Sequence, residues 1–373
     1  MMKQPGTFFV ALLAFLLALP AQAWIRSPAT TFATLPPDAT TPEGLTVDPA
    51  NGDVYVSTFG FPDGPAPTAA HVVVFDAHGN LLRDLTVTSA TVAVSPHLLG
   101  LAFQPGTHAL LVLDFGNHNV LNVNPNTGAA TLFSAIGGNS GLNALTFDSA
   151  GNVYVSDSFG GIIWKIGPGG GAASAWVTDP LLATTGKPPF GANGLAFNNS
   201  GSALFVANTG DDSVIQIPVS GGNPGAPVAF AYSINGADGL IIDQSDNIWV
   251  CANQSDEIVV INPKGKVIAK LGDFNGIDNQ GAARGLLFPA SLAFSGNFVL
   301  VTNLALDLAT QFGIPAIDSQ WAAQVKRYTV SKISRHIPPI SPSLTSAGGG
   351  NGQGNGNGQG DGNGQGNGNG HGH

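Results

Sequence analysis

Between residues 43 and 303 the chain repeats one pattern of apolar and polar positions. A variable residue is followed by a small one and a leucine, then a polar turn, then a β-rich run ending in Asp, Asn or Thr. The copies begin Glu43-Gly44-Leu45, Leu99-Gly100-Leu101, Asn143-Ala144-Leu145, Asn193-Gly194-Leu195, Asp238-Gly239-Leu240 and Ala290-Ser291-Leu292. They lead to runs such as Val54-Tyr55-Val56-Ser57-Thr58 and Val153-Tyr154-Val155-Ser156-Asp157. Successive starts lie 44 to 56 residues apart by their numbering. Propeller blades repeat at about 40–50 residues.

Each copy continues into two further strand-like runs, for example residues 161–166 and 172–177 in the third. Four short strands per unit, six units and turns rich in Gly, Asn, Asp and Pro predict an all-β, six-bladed β-propeller. The sixth unit has a third strand at 324–330 but no fourth. An orphan strand at 30–35 resembles the missing one and is expected to complete blade six, closing the ring. The connections are lopsided. Turns after the first and third strands are short, whereas residues 59–70, 179–190, 274–289 and 304–321 are insertions expected on the opposite face. Long loops gathered on one face mark a working surface.

Composition agrees with this architecture. Only 10% of the 373 residues are charged, with 13 Lys+Arg against 23 Asp+Glu. Long charged helices are excluded, and a net charge of −10 leaves no basic surface for nucleic acid. Strands packed between blades need apolar and small residues instead. Only two glutamates occur, Glu43 and Glu257.

The ends carry other signals. Lys3, an apolar run at 8–19 and Ala21-Gln22-Ala23 read as a cleavable signal peptide over 1–23, so the mature chain is expected to start at Trp24 and to be exported to the periplasm or medium. The apolar run is too short for a transmembrane anchor. The propeller is expected over 24–346, followed by a disordered Gly/Asn/Gln-rich tail at 347–373. A single cysteine, Cys251, excludes an internal disulfide.

The inner-strand starts ring the central tunnel on the long-loop face. Glu43, Asn143, Asn193 and Asp238 give that ring two carboxylates and two amides, with Leu99 and Ala290 at the other positions. Oxygen donors converging from four blades suit a hard cation such as Ca²⁺. No Cys or His shares the ring, which argues against a soft metal.

On these residues the chain resembles the senescence marker protein/gluconolactonase/luciferin-regenerating family, whose relatives include diisopropyl fluorophosphatase and the paraoxonases. Its blades are also NHL-repeat-like, as in Asp114-Phe115-Gly116-Asn117-His118-Asn119-Val120. The best local match is Asp238-Gly239-Leu240-Ile241-Ile242-Asp243 with Asn247-Ile248-Trp249-Val250-Cys251-Ala252. The resemblance implies a divalent cation held by Glu43, Asn143, Asn193 and Asp238, with Ca²⁺ first and Zn²⁺, Mn²⁺ or Mg²⁺ as alternatives. It implies Asp238 as general base or nucleophile of a gluconolactonase- or arylesterase-like hydrolase. The chain departs from the family at Ala144, where Asp often follows the first Asn, and it has no counterpart of the Arg that some members use on sugars. Paraoxonases use a His near His97, but in a different register.

Two functions follow as expectations. The first is an exported, monomeric, metal-dependent hydrolase of small-molecule lactones or esters. Lys187, Phe190, Arg284 and Trp321 are its substrate-face candidates, with Phe274 and Phe312 adding to an apolar lid. The second is a non-catalytic NHL-type binding propeller with a structural ion or none. In that reading Asp114, Asp157, Asn208 and Asn253 are turn residues. A G-x-S-x-G elbow, an H-E-x-x-H pair and a phosphate loop are all absent from the sequence.

Overall fold

A computed structural model describes residues 26–60, 70–89, 97–316 and 318–337. The expected signal peptide, the expected tail and residues 61–69 of the first insertion lie outside them. Among the described residues, six antiparallel sheets form a six-bladed β-propeller. Blade one is Pro42–Val47, Val54–Thr58, His71–Phe75 and Leu81–Thr86. Blades two to five repeat this order from Leu98–Phe103, Leu142–Phe147, Ala192–Phe197 and Ala237–Ile242.

Blade six joins the two ends of the described chain. Pro289–Ser295, Phe298–Asn303 and Thr329–Ser334 are followed by Thr30–Thr34, which pairs antiparallel with Thr329–Ser334. The closure expected from the orphan strand is therefore present. The third strand lies later than the expected 324–330. Gln324 and Val325 donate backbone hydrogen bonds to Trp321 and Ala322, finishing the short helix Ser319–Ala322, and Lys326 and Arg327 bond to Gly281. Their amides are spent before the strand can start.

Alternation explains where the core sits. Each interface between neighbouring blades has its own apolar cluster; Val72 and Val74 of blade one pack with Leu110 and Val112 of blade two. Burial at about 25 cal/mol per Å² of apolar surface makes these interfaces the main source of stability. Val54–Thr58, Leu110–Asp114 and Val153–Asp157 are buried throughout. Little strand surface is left for charge. Glu257, at the head of Glu257–Ile261, is buried and holds Arg26 at 2.9 Å, fastening the N-terminal segment to blade five.

The small residue of the repeat has a steric cause. A Cβ on Gly44 would lie 2.3 Å from the Leu99 carbonyl, one on Gly194 2.4 Å from that of Asp238, and one on Gly239 2.4 Å from that of Ala290. Each blade thus meets the next through backbone. Hydroxyls bridge the same seams: Ser158 Oγ donates to Ala192 O at 2.7 Å and Thr209 Oγ1 to Ala237 O at 2.7 Å. Thr302 Oγ1 donates to Glu43 O at 2.8 Å, joining the last blade to the first.

Candidate metal and substrate site

The six inner strands share one irregularity. Their register slips between Pro42 and Leu45, Leu98 and Leu101, Leu142 and Leu145, Ala192 and Leu195, Ala237 and Leu240, and Pro289 and Leu292. The two residues inside each slip are the variable ring residue and its small neighbour. A bulge re-aims side chains that the pleat would otherwise send to a blade interface. Glu43, Leu99, Asn143, Asn193 and Asp238 consequently line one cavity of about 260 Å³. Ala290 does not.

Glu43, Asn143, Asn193 and Asp238 are all buried. Asp238 Oδ2 accepts from Asn253 Nδ2 at 2.9 Å, while Asp238 Oδ1 is buried with no hydrogen-bond partner. Thr209 gives its hydroxyl proton to Ala237 O and accepts from Asn193 Nδ2 at 2.9 Å. That fixes the Asn193 amide and leaves its oxygen as the free end. Burial drives the Asp238 carboxyl up to about 7, against the pull of the hydrogen bond from Asn253. Burial, and then the charge of Asp238, push Glu43 well above the usual carboxylate range. Among the described residues no Lys, Arg or His lines the cavity to offset the two acids.

This donor set fits a hard cation. Two adjacent buried carboxylates, an unpartnered oxygen and amide oxygens are costly alone and favourable around Ca²⁺. Glu43, Asn143, Asn193 and Asp238 are the residues that would hold it.

Asn253 is the site residue that sequence reasoning assigned to a turn. Its three counterparts do behave so. Asp114 Oδ1 accepts from Asn117 N, Asp157 Oδ1 from Phe159 N and Gly160 N, and Asn208 Oδ1 from Asp211 N. Asn253 Oδ1 is instead buried and unpartnered. Gly236, at φ +65°, lets it in, since a Cβ there would lie 1.9 Å from that oxygen. An amide directly after the buried strand Ile248–Ala252 carries no sequence signal that separates it from a turn residue.

The long loops converge on the same mouth. Phe59, Pro188 and Phe190, Phe288, and Leu304, Leu306 and Phe312 come from the four insertions or their flanks, and all line the cavity. Of the expected lid residues, Phe190 and Phe312 line the cavity and Phe274 does not. Lys187, Arg284 and Trp321 are not among the lining residues. Lys187 is exposed beside Pro188, Arg284 Nη2 donates to Asn275 O at 2.8 Å, and Trp321 packs on Phe274 at 5.8 Å. Arg284 and Trp321 are engaged by the hairpin Phe274–Ile277/Ala283–Gly285. His97 also stays outside the lining; its Nδ1 bonds Phe59 O at 2.7 Å and its ring stacks on Phe59. A second, wider hollow of about 770 Å³ lies at the other ends of the inner strands, lined by the repeat leucines and the short turns.

Comparison with known proteins bears on this geometry. Residues 87–272 match the family described as SMP-30/Gluconolactonase/LRE-like region. This stretch belongs to that family. The match spans blades two to five, and so includes Asn143, Asn193, Asp238 and Asn253 but not Glu43. Three solved propellers share the fold. A gluconolactonase from Xanthomonas campestris is 14% identical, with a TM-score of 0.56 over 85% of this chain and 99% of that one. A calcium-binding protein, regucalcin, from Agrobacterium tumefaciens is 16% identical, with a TM-score of 0.55 over 83% and 98%. A luciferin-regenerating enzyme is 14% identical, with a TM-score of 0.57 over 83% and 95%. No curated protein matches by sequence.

Proposed function

We propose that this chain is a lactone or ester hydrolase that works with a divalent cation, Ca²⁺ first, held by Glu43, Asn143, Asn193 and Asp238. The observation that carries the reading is the unpartnered, buried Oδ1 of Asp238 beside Glu43. When bound, a divalent cation supplies a Lewis acid for the substrate carbonyl. The chain's own residues do the rest. Asp238, on the floor of the cavity, takes a proton from the attacking water. The water oxygen bonds to the carbonyl carbon, the acyl C–O bond breaks, and the proton passes to the leaving alkoxide. Asn253 holds Asp238 through Oδ2, and Asn193 is held in turn by Thr209. The apolar rim limits competing water.

Export through residues 1–23 belongs to the same proposal, and a secreted product beginning at Trp24 is its test. For the activity, metal content and turnover of a lactone and aryl-ester panel are measured with and without chelator, alongside Asp238→Ala. The expected result is a bound ion and chelator-sensitive turnover that Asp238→Ala abolishes. A bound ion with no turnover in the native chain, and lost stability in the variant, would identify a non-catalytic binding propeller instead.

A further inference from the structure

The mouth of the cavity is built from phenylalanine. Phe59, Phe115, Phe159, Phe190 and Phe312 follow one another around it, with ring centroids 5.5, 5.6, 5.6 and 5.7 Å apart in that order. The arc crosses blades. Phe59, Phe115 and Phe159 follow the second strands of blades one, two and three, Phe190 leads into blade four, and Phe312 ends the short helix Leu308–Phe312 of blade six. Phe159 is 48% exposed and Phe312 36%. Rings left so open contribute little to the blade interfaces, so the fold alone does not call for them.

Below the arc, Leu99, Phe288, Leu304 and Leu306 continue the wall. The polar side chains lining it are the four ring residues of the inner strands, with Thr209 and Asn253 just past the second strands and hydrogen-bonded to Asn193 and Asp238 of that ring. A molecule in this cavity therefore meets hydrogen-bonding groups at one end only. A ring bearing several hydroxyls would lose its water against phenyl faces and gain no partner, which is unfavourable for each group buried. An alkyl chain or an aryl ring would bury apolar surface against the same faces and stack on their edges.

We infer that the Phe59–Phe312 arc selects lactones or esters with an apolar acyl or aryl group, carbonyl toward the floor, and rejects polyhydroxylated sugar lactones. This rests on the hydrolase reading for the chemistry, but the preference itself rests on the wall. The test compares kcat/KM for nitrophenyl butyrate, a medium-chain aliphatic lactone and gluconolactone, using calcium-loaded mature protein. The apolar substrates are expected to exceed gluconolactone by about a hundredfold. Phe159→Ser and Phe312→Ser, at partly exposed positions, are each expected to cut that ratio about tenfold. Gluconolactone turned over as well as the apolar substrates would overturn the inference and leave the hydrolase reading standing. If nothing is hydrolysed, the hydrolase reading fails, and titration calorimetry with an alkyl phenyl ketone reads the wall by itself. Binding that weakens about tenfold in Phe159→Ser supports the apolar site; no binding, or binding that Phe159→Ser leaves unchanged, overturns it.

Discussion

Asn253 Nδ2 donates a 2.9 Å hydrogen bond to Asp238 Oδ2, and the remaining oxygens of both side chains, Asn253 Oδ1 and Asp238 Oδ1, are buried without partners. One contact thus orients the carboxylate, and two acceptors stay unsatisfied beside it. Buried acceptors of this kind are rare unless a ligand completes them.

Asn253 should therefore matter through Asp238. Asn253→Leu keeps the approximate size and removes the donor. Calcium affinity is expected to fall about 10–100-fold, the usual cost of losing a group that orients a ligand. The fold should survive, because Asn253 makes no turn contact comparable to those of Asp157 or Asn208. Titration calorimetry on the variant checks this, and unchanged affinity would return Asn253 to a structural role.

Stability of the metal-free protein should depend on pH in a defined direction. Burial raises Asp238 to about 7 and Glu43 well above its usual value, so both bind protons more tightly folded than unfolded. Their stabilising contribution is complete below about pH 4, the unfolded carboxylate range, and is lost as pH rises through about 7. Asp256, raised to about 8 by burial and then by Asp318, acts in the same sense. The apo protein should lose on the order of a few kcal/mol across this window. Asp238→Asn should flatten the loss, and added Ca²⁺ should restore most stability at the upper end, where the carboxylates are ionised. Denaturant titrations at several pH values, with and without calcium, measure all three.

Gly194→Ala tests the backbone seam between blades. Its Cβ would sit 2.4 Å from Asp238 O and 2.5 Å from Leu240 N, so blades four and five must move apart. A loss of about 1–3 kcal/mol is expected, together with weaker cation binding, since the displaced backbone carries Asp238. Gly167→Ala, with nothing within 4 Å of its Cβ, serves as the comparison. Equal melting temperatures for the two variants would contradict the steric account.

Ring closure can be broken at the N-terminal strand. A chain beginning at Pro36 lacks Thr30–Thr34 and leaves Thr329–Ser334 as an open edge. Unpaired edges template association. Size-exclusion chromatography should show aggregation or a lower melting temperature, and a monomer as stable as the native chain would argue against closure by this strand.

Much of the architecture was legible in the repeat. The x-small-Leu signature marked every inner strand because its small residue and its leucine answer local demands, the approach of the next blade's backbone and the lining of the tunnel. The ring residues Glu43, Asn143, Asn193 and Asp238 could be named because strand order alone places them at equivalent positions of successive blades. Lys187, Arg284 and Trp321 fall outside the cavity lining for the opposite reason. Membership of a long loop does not say which way a side chain points, and the hairpin at Phe274–Ile277 engages two of them.

The sequence by itself determined the blade count, the strand that closes the ring and the residues brought to the tunnel, since each follows from period and pattern. Only the tertiary structure decided what surrounds them. The slip in each inner strand, Asn253 turned to Asp238 rather than into a turn, and the phenylalanine arc from Phe59 to Phe312 all join residues of different blades or reverse a local preference. The arc depends on how the blades meet in space, and the slip and the Asn253 contact on how neighbouring strands of one blade pair, neither of which a local preference encodes.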